Sequence, residues 1–234
     1  MTQGLPDVPD TLPALAAEHT VTVTPGWPLV RIHDVAGRFP REHHEPRWFG
    51  PHPDKGRFDH HPEGRPRDHA PDHGIIYTTG DDPAAPESPP AAAGAMVPGN
   101  ALDVALAEFV QADTELVITS GLTLTVVAPA APLQLLDVRT SWGQATRASA
   151  HLPTAAHHRT QPWARAIRDG YPPLHGILYV PATGGRAVAV ALDETAAGAL
   201  AGGRVLLSRR LADPAMLAVI EATAERLRFD VTVA

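Results

Sequence analysis

Apolar residues along this chain fall into short runs broken by proline, glycine and charge, and the periods of those runs predict its elements. "VTVTPGWPLVRIH" holds two β-like runs around a Pro-Gly turn, and Arg31 alternates with Val30 and Ile32, so a strand carrying Arg31 is expected. "GIIYTT" reads as a short buried strand ending near Tyr77. "LTLTVVAP" and "LQLLDV" read as further strands, "GILYVPATGGRAVAVAL" as two strands around a Gly-Gly turn, and "FDVTVA" as a closing strand.

Three segments carry the helical period. Asn100 is placed to cap a helix through about Ala112, with Leu102, Ala105, Leu106 and Phe109 on one buried face and Glu108 beside it, bordering a space between helix and sheet. "RTQPWARAIRDG" puts Trp163, Ala166 and Ile167 on one face, with Gly170 as a stop. Asp213 before Pro214 starts a helix whose apolar face is Met216, Leu217, Ile220, Ala224 and Leu227. Strands outnumber helices without alternating regularly with them, which predicts a single α+β domain with a mixed or antiparallel core flanked by helices.

The remaining stretches lack a period. Residues 1–19 read as an N-terminal arm or cap, and 20–234 as the domain. From Asp34 to His73 the chain is polar and rich in Pro, Gly and His, longer than an ordinary connection. Residues 83–99, "PAAPESPPAAAGAMVPG", read as a low-complexity insertion, and "SWGQATRASAHLPTAAHH" as a loop.

Composition narrows the chemistry. Cysteine is absent, which excludes disulfides, thiolate nucleophiles and zinc-thiolate sites. No run approaches the roughly 20 apolar residues of a membrane helix, and no secretory pattern opens the chain, so a cytoplasmic location is expected. A net charge of −7 argues against broad affinity for nucleic acid. From Arg31 to His73, eight basic residues are balanced by eight acidic ones, which leaves room for one or two arginines to grip a phosphate by bidentate bonds.

Seven histidines, His43, His44, His52, His60, His61, His69 and His73, lie between residues 43 and 73, but their spacing matches no metal motif, and no metal site is assigned. Dinucleotide-fold, phosphate-loop, zincin and nucleophile-elbow signatures are all absent.

In order, "GRFDHHP", "GIIY", "ALAEFVQ", "LLDV", "TQPWARAI", "YPPLHGILY" and "TGGRAVAVAL" resemble the RES-domain family, named for an Arg, a Glu and a Ser. The resemblance runs from about "LVRIH" to the C-terminus. It implies an ADP-ribosyltransferase-like fold and an enzyme that consumes NAD⁺ as substrate, with no separate cofactor. It also implies a toxin restrained by an Xre-type helix-turn-helix antitoxin, with water or inorganic phosphate as nucleophile. Carried over by position, the catalytic residues are Arg57, Tyr77 and Glu108, with Glu87 the alternative glutamate. Arg31, Arg57, Tyr77 and His60 are the candidates for binding NAD⁺. The chain departs from the family at the serine: "GILYVPATGG" places Pro181 or Ala182 there, with Thr183 the nearest hydroxyl. The resemblance therefore also admits a non-catalytic NAD⁺- or ADP-ribose-binding protein that keeps the fold.

Overall fold

In chain order the strands are β1 (Thr20–Val23), β2 (Leu29–Asp34), β3 (Ile75–Asp81), β4 (Glu115–Ile118), β5 (Leu122–Ala128), β6 (Leu133–Asp137), β7 (Gly176–Tyr179), β8 (Ala187–Asp193), β9 (Arg204–Arg210) and β10 (Asp230–Val233). The helices are α1 (Gly99–Val110), α2 (Ser141–Thr146), α3 (His157–Gly170), α4 (Ala197–Ala201) and α5 (Pro214–Leu227). They come from a computed structural model that describes residues 4–36, 46–47, 49, 56–61, 73–85, 99–110, 114–148, 151–181 and 187–234.

Eight strands form one mixed sheet in the order β1-β6-β7-β8-β3-β2-β5-β9, in which only β6 and β7 run parallel. A parallel pair, β10 with β4, stands apart. The chain is one α+β domain: α1, α2, α3 and α5 pack on one face of the large sheet, and α4 with Trp27 and Phe49 on the other.

The pleat assigns each side chain to a face. Along β8, Ala187, Ala189 and Ala191 face the large helices while Val188, Val190 and Leu192 enter the opposite core. Small residues here leave space for longer side chains from both neighbouring strands. In the register, Tyr77 of β3 lies across from Ala191 and Tyr179 of β7 across from Ala189, so two tyrosines flank an alanine strip.

Residues 4–16 are strapped to α2 and α3. Arg159 Nη2 donates to the Leu5 carbonyl at 2.7 Å, Trp163 Nε1 to Pro6 at 3.0 Å, and Tyr171 Oη to Pro13 at 2.6 Å. Beneath the strap Trp142 and Trp163 are fully buried in edge-to-face contact at 6.1 Å, and Trp142 Nε1 donates to Tyr171 Oη at 2.8 Å.

Several expectations change. Tyr77 sits in the middle of its strand, which continues to Asp81. Phe109 is 42% exposed; the buried stripe of α1 is Ala101, Leu102, Val104, Ala105, Leu106 and Val110, rotated toward the sheet. The stretch read as a loop after β6 contains α2, ended by Arg147 in the left-handed conformation (φ 58°), and also the first turn of α3. β4, β9 and α4 were not foreseen. The insertion read at 83–99 falls outside the described residues except for a turn at Pro83–Ala85 and the start of α1.

Candidate active site on the helix face

Gly56-Arg57-Phe58-Asp59 forms a tight turn, closed by Asp59 N–H to the Gly56 carbonyl at 3.3 Å. The start of α3 clamps it. Thr160 Oγ1 donates to the Arg57 carbonyl at 2.5 Å and Gln161 Nε2 to the Gly56 carbonyl at 3.1 Å. Arg57 Nη1 in turn donates to the Ala155 carbonyl, leaving its other guanidinium N–H groups without an acceptor among the described residues.

Tyr77 locks the turn to the sheet. Phe58 N–H donates to Tyr77 Oη at 2.7 Å, and Tyr77 Oη donates to Asp59 Oδ1 at 3.0 Å. The other carboxylate oxygen of Asp59 accepts the Gly56 N–H at 2.9 Å, and Asp59 is 2% exposed. Burial first and the Asp59 charge second push the Tyr77 phenol well above its usual range, so it is a donor at any working pH. Gly56 has no room for a side chain: a Cβ there would meet Asp59 Oδ1, Tyr77 Oη and, at 2.7 Å, Tyr77 Cε2.

Tyr179 lies at the centre. Its ring meets Phe58 at 4.8 Å and the residue is 4% exposed. Burial raises its phenol; the Glu108 carboxylate raises it further and the Arg57 guanidinium opposes this. Glu108, half-buried on α1, and Arg57 therefore both act on one phenol, from opposite signs of charge. His157, at the first turn of α3, has its imidazole pushed down by burial and by Arg57.

Of the residues expected from sequence, Arg57, Tyr77 and Glu108 lie on this face of the sheet. Arg31 does not. Val30 pairs with Thr79, whose hydroxyl donates to Ala101 of α1 at 2.7 Å, which puts Val30, Thr79 and Tyr77 on the helix face. Arg31, one residue on from Val30, points to the opposite face, 6% exposed, with Nη1 donating to the Pro46 carbonyl at 2.8 Å; burial lowers its pKa to about 10. Arg31 and Arg57 therefore lie on opposite faces of the sheet. Glu87, Ala182 and Thr183 lie outside the described residues; Pro181 is buried and brings no hydroxyl.

His60 is 3% exposed and bonds Glu194 Oε2 through Nε2 at 3.0 Å, while Arg168 grips Glu194 Oε1. The His60, His61 and His73 rings stand 5.7–6.4 Å apart. Among the described residues no group of three or more His, Asp or Glu side chains could hold a metal ion. A cavity of about 20 Å³ beside His60, Phe58, Tyr171 and Asp193 has room for about one water and none for a nucleotide. His43, His44, His52 and His69 lie outside the described residues.

Sequence reading passed over Asp59 and Tyr179. Asp59 follows the selected arginine by two residues and was counted only as charge; Tyr179 sits two positions before the missing serine and entered only as part of the strand "GILY". Chemically, the site sets a carboxylate and a cation about one buried phenol, which suits a substrate that develops positive charge at one atom and carries negative charge nearby. No helix among the described residues is long and apolar enough to cross a membrane. No family model, curated protein or solved structure matches the chain.

Proposed function

We propose that the chain cleaves the bond between nicotinamide and ribose in NAD⁺, as a glycohydrolase or phosphorylase with a RES-type, ADP-ribosyltransferase-like fold. One observation carries the reading: Tyr77 anchors the turn that carries Arg57 to the same face of the sheet against which α1, the helix of Glu108, packs. Thr160 and Gln161, from a fragment of the same resemblance about 100 residues away, hold that turn in place.

The chemistry asks little of the protein. As the C1′–N bond breaks, its electron pair goes to the nicotinamide nitrogen, which leaves neutral and needs no general acid. Glu108 stabilises the oxocarbenium charge on the ribose, and Arg57 holds a phosphate through its uncommitted N–H groups. A water oxygen attacking C1′ gives ADP-ribose, nicotinamide and a proton; an inorganic phosphate oxygen gives ADP-ribose 1″-phosphate and nicotinamide. Tyr77 fixes the wall against which the nicotinamide leaves. An NAD⁺-consuming enzyme in the cytoplasm needs restraint, which the resemblance supplies as an Xre-type helix-turn-helix antitoxin protein.

The test is NAD⁺ consumption by purified protein, resolved into products with and without phosphate. Turnover that falls at least 100-fold in Glu108→Gln is the expected result. Absence of turnover in the wild type, with no growth defect on expression that Glu108→Gln relieves, overturns the reading. A second reading has its own observation: buried Pro181 occupies a position where the resemblance expects a hydroxyl. The chain would then bind NAD⁺ or ADP-ribose without turnover, and calorimetry with ADP-ribose separates the two.

A further inference from the structure

The geometry points to Tyr179 as a substrate-contacting residue whose phenol donates a hydrogen bond to an oxygen of a ribosyl phosphate, held between Glu108 and Arg57. This deepens the reading above and rests on it. Three observations carry it.

The first is an unused hydroxyl. Buried tyrosines find a partner for the phenol. Tyr171, in the same core, has two, donating to Pro13 and accepting from Trp142. The Tyr179 phenol has no hydrogen-bond partner among the described residues, although only 4% of the residue is exposed. The ring is packed against Phe58, and the hydroxyl is the part of the side chain left without a partner among the described residues.

The second is placement. Tyr179 ends β7 on the helix face, opposite Ala189, with the Phe58 ring packed against its own and Tyr77 on the far side of the alanine strip. Tyr77 Oη is committed to Phe58 and Asp59, so of the two flanking phenols only Tyr179 is available to a ligand.

The third is charge. A carboxylate and a guanidinium both act on the phenol, and burial keeps it protonated, hence a donor. An oxygen-rich group bearing a phosphate on one side and a developing cation on the other satisfies all three groups together. In this chain the phenol supplies a hydroxyl two residues before buried Pro181, where the sequence offers none.

Tyr179→Phe tests this against Tyr171→Phe, with NAD⁺ turnover, ADP-ribose binding and thermal melting measured on each. Tyr179→Phe is expected to melt with the wild type, because no protein bond is lost, and to lose about 10–100-fold in kcat/KM. Tyr171→Phe is expected to melt lower with unchanged kcat. If wild type turns over and Tyr179→Phe stays within twofold of it, the inference is overturned and the reading of the site stands. If wild type binds ADP-ribose without turnover, a Kd unchanged by Tyr179→Phe overturns it equally. Wild type that neither turns over NAD⁺ nor binds ADP-ribose removes both the reading and the inference.

Discussion

Replacing Tyr77 by phenylalanine removes one oxygen that holds three parts of the molecule together. The phenol accepts from Phe58 N–H at 2.7 Å and donates to Asp59 Oδ1 at 3.0 Å. A bond to a carboxylate contributes about 1.5–3 kcal/mol and one to a backbone amide about 0.5–1.5 kcal/mol. Asp59 is 2% exposed, so a carboxylate oxygen that loses this donor stays out of water and the loss tends to the upper part of that range. A cost of about 2–4 kcal/mol follows, which at about 2–4 °C per kcal/mol for a chain of this size lowers Tm by about 5–15 °C. Urea unfolding of wild type, Tyr77→Phe, Asp59→Asn and the double variant measures it. The two changes should be non-additive by about 1–2 kcal/mol, since each breaks the same bond. A loss below about 0.5 kcal/mol in Tyr77→Phe, or strict additivity, would refute the claim that this oxygen anchors the turn carrying Arg57.

Two further outcomes follow from the same geometry. Gly56→Ala puts a methyl group against Tyr77 Oη and Asp59 Oδ1 and should cost about 2–4 kcal/mol by overpacking and lost bonds; a melting temperature within 2 °C of wild type would contradict this. At Glu194, burial opposes ionisation but hydrogen bonds with His60 and Arg168 outweigh it, so the carboxyl titrates below its ordinary value of 4.5. A lowered folded pKa means stability present above that ordinary value and lost as pH falls through the lowered one. Glu194→Gln should therefore cost about 1–3 kcal/mol at pH 7, with the gap to wild type closing below about pH 4.5, read from urea midpoints at pH 7, 5 and 3.5. A gap constant with pH would show that the carboxylate charge is not what Arg168 and His60 hold.

The elements with a clear period were legible. β5, β6 and α5 appear where alternation, a buried run or an Asp-Pro start announced them, because burial on a sheet face or a helix stripe leaves that period in the sequence. β9 left none: it is an edge strand, largely exposed, and in "RVLLSRR" the half-buried Leu206 and Leu207 are adjacent and do not alternate. α2 is too short to show a repeat and is held by one buried tryptophan. At the site, Arg57, Tyr77 and Glu108 were singled out by resemblance, and Arg31 was grouped with them although β2 turns it to the other side of the sheet. Strand order decides that, and strand order is a long-range property that alternation does not encode. Asp59 and Tyr179 went unremarked for the same reason: the contacts that give them a role, Asp59 with Tyr77 and Tyr179 with Phe58, are long-range, across strands whose neighbours the sequence does not name.

The strap formed by residues 4–16 bears on the order in which the chain assembles. The carbonyls of Leu5, Pro6 and Pro13 are satisfied by Arg159, Trp163 and Tyr171, across 154 to 158 residues. During synthesis this segment has nothing to dock on until α3 has emerged. Closing so long a loop carries an entropy cost that grows with the logarithm of its length, and contacts this distant slow folding. Docking of the strap over the two tryptophans is therefore a late event, and protection of residues 5–13 from a protease would time the completion of the fold.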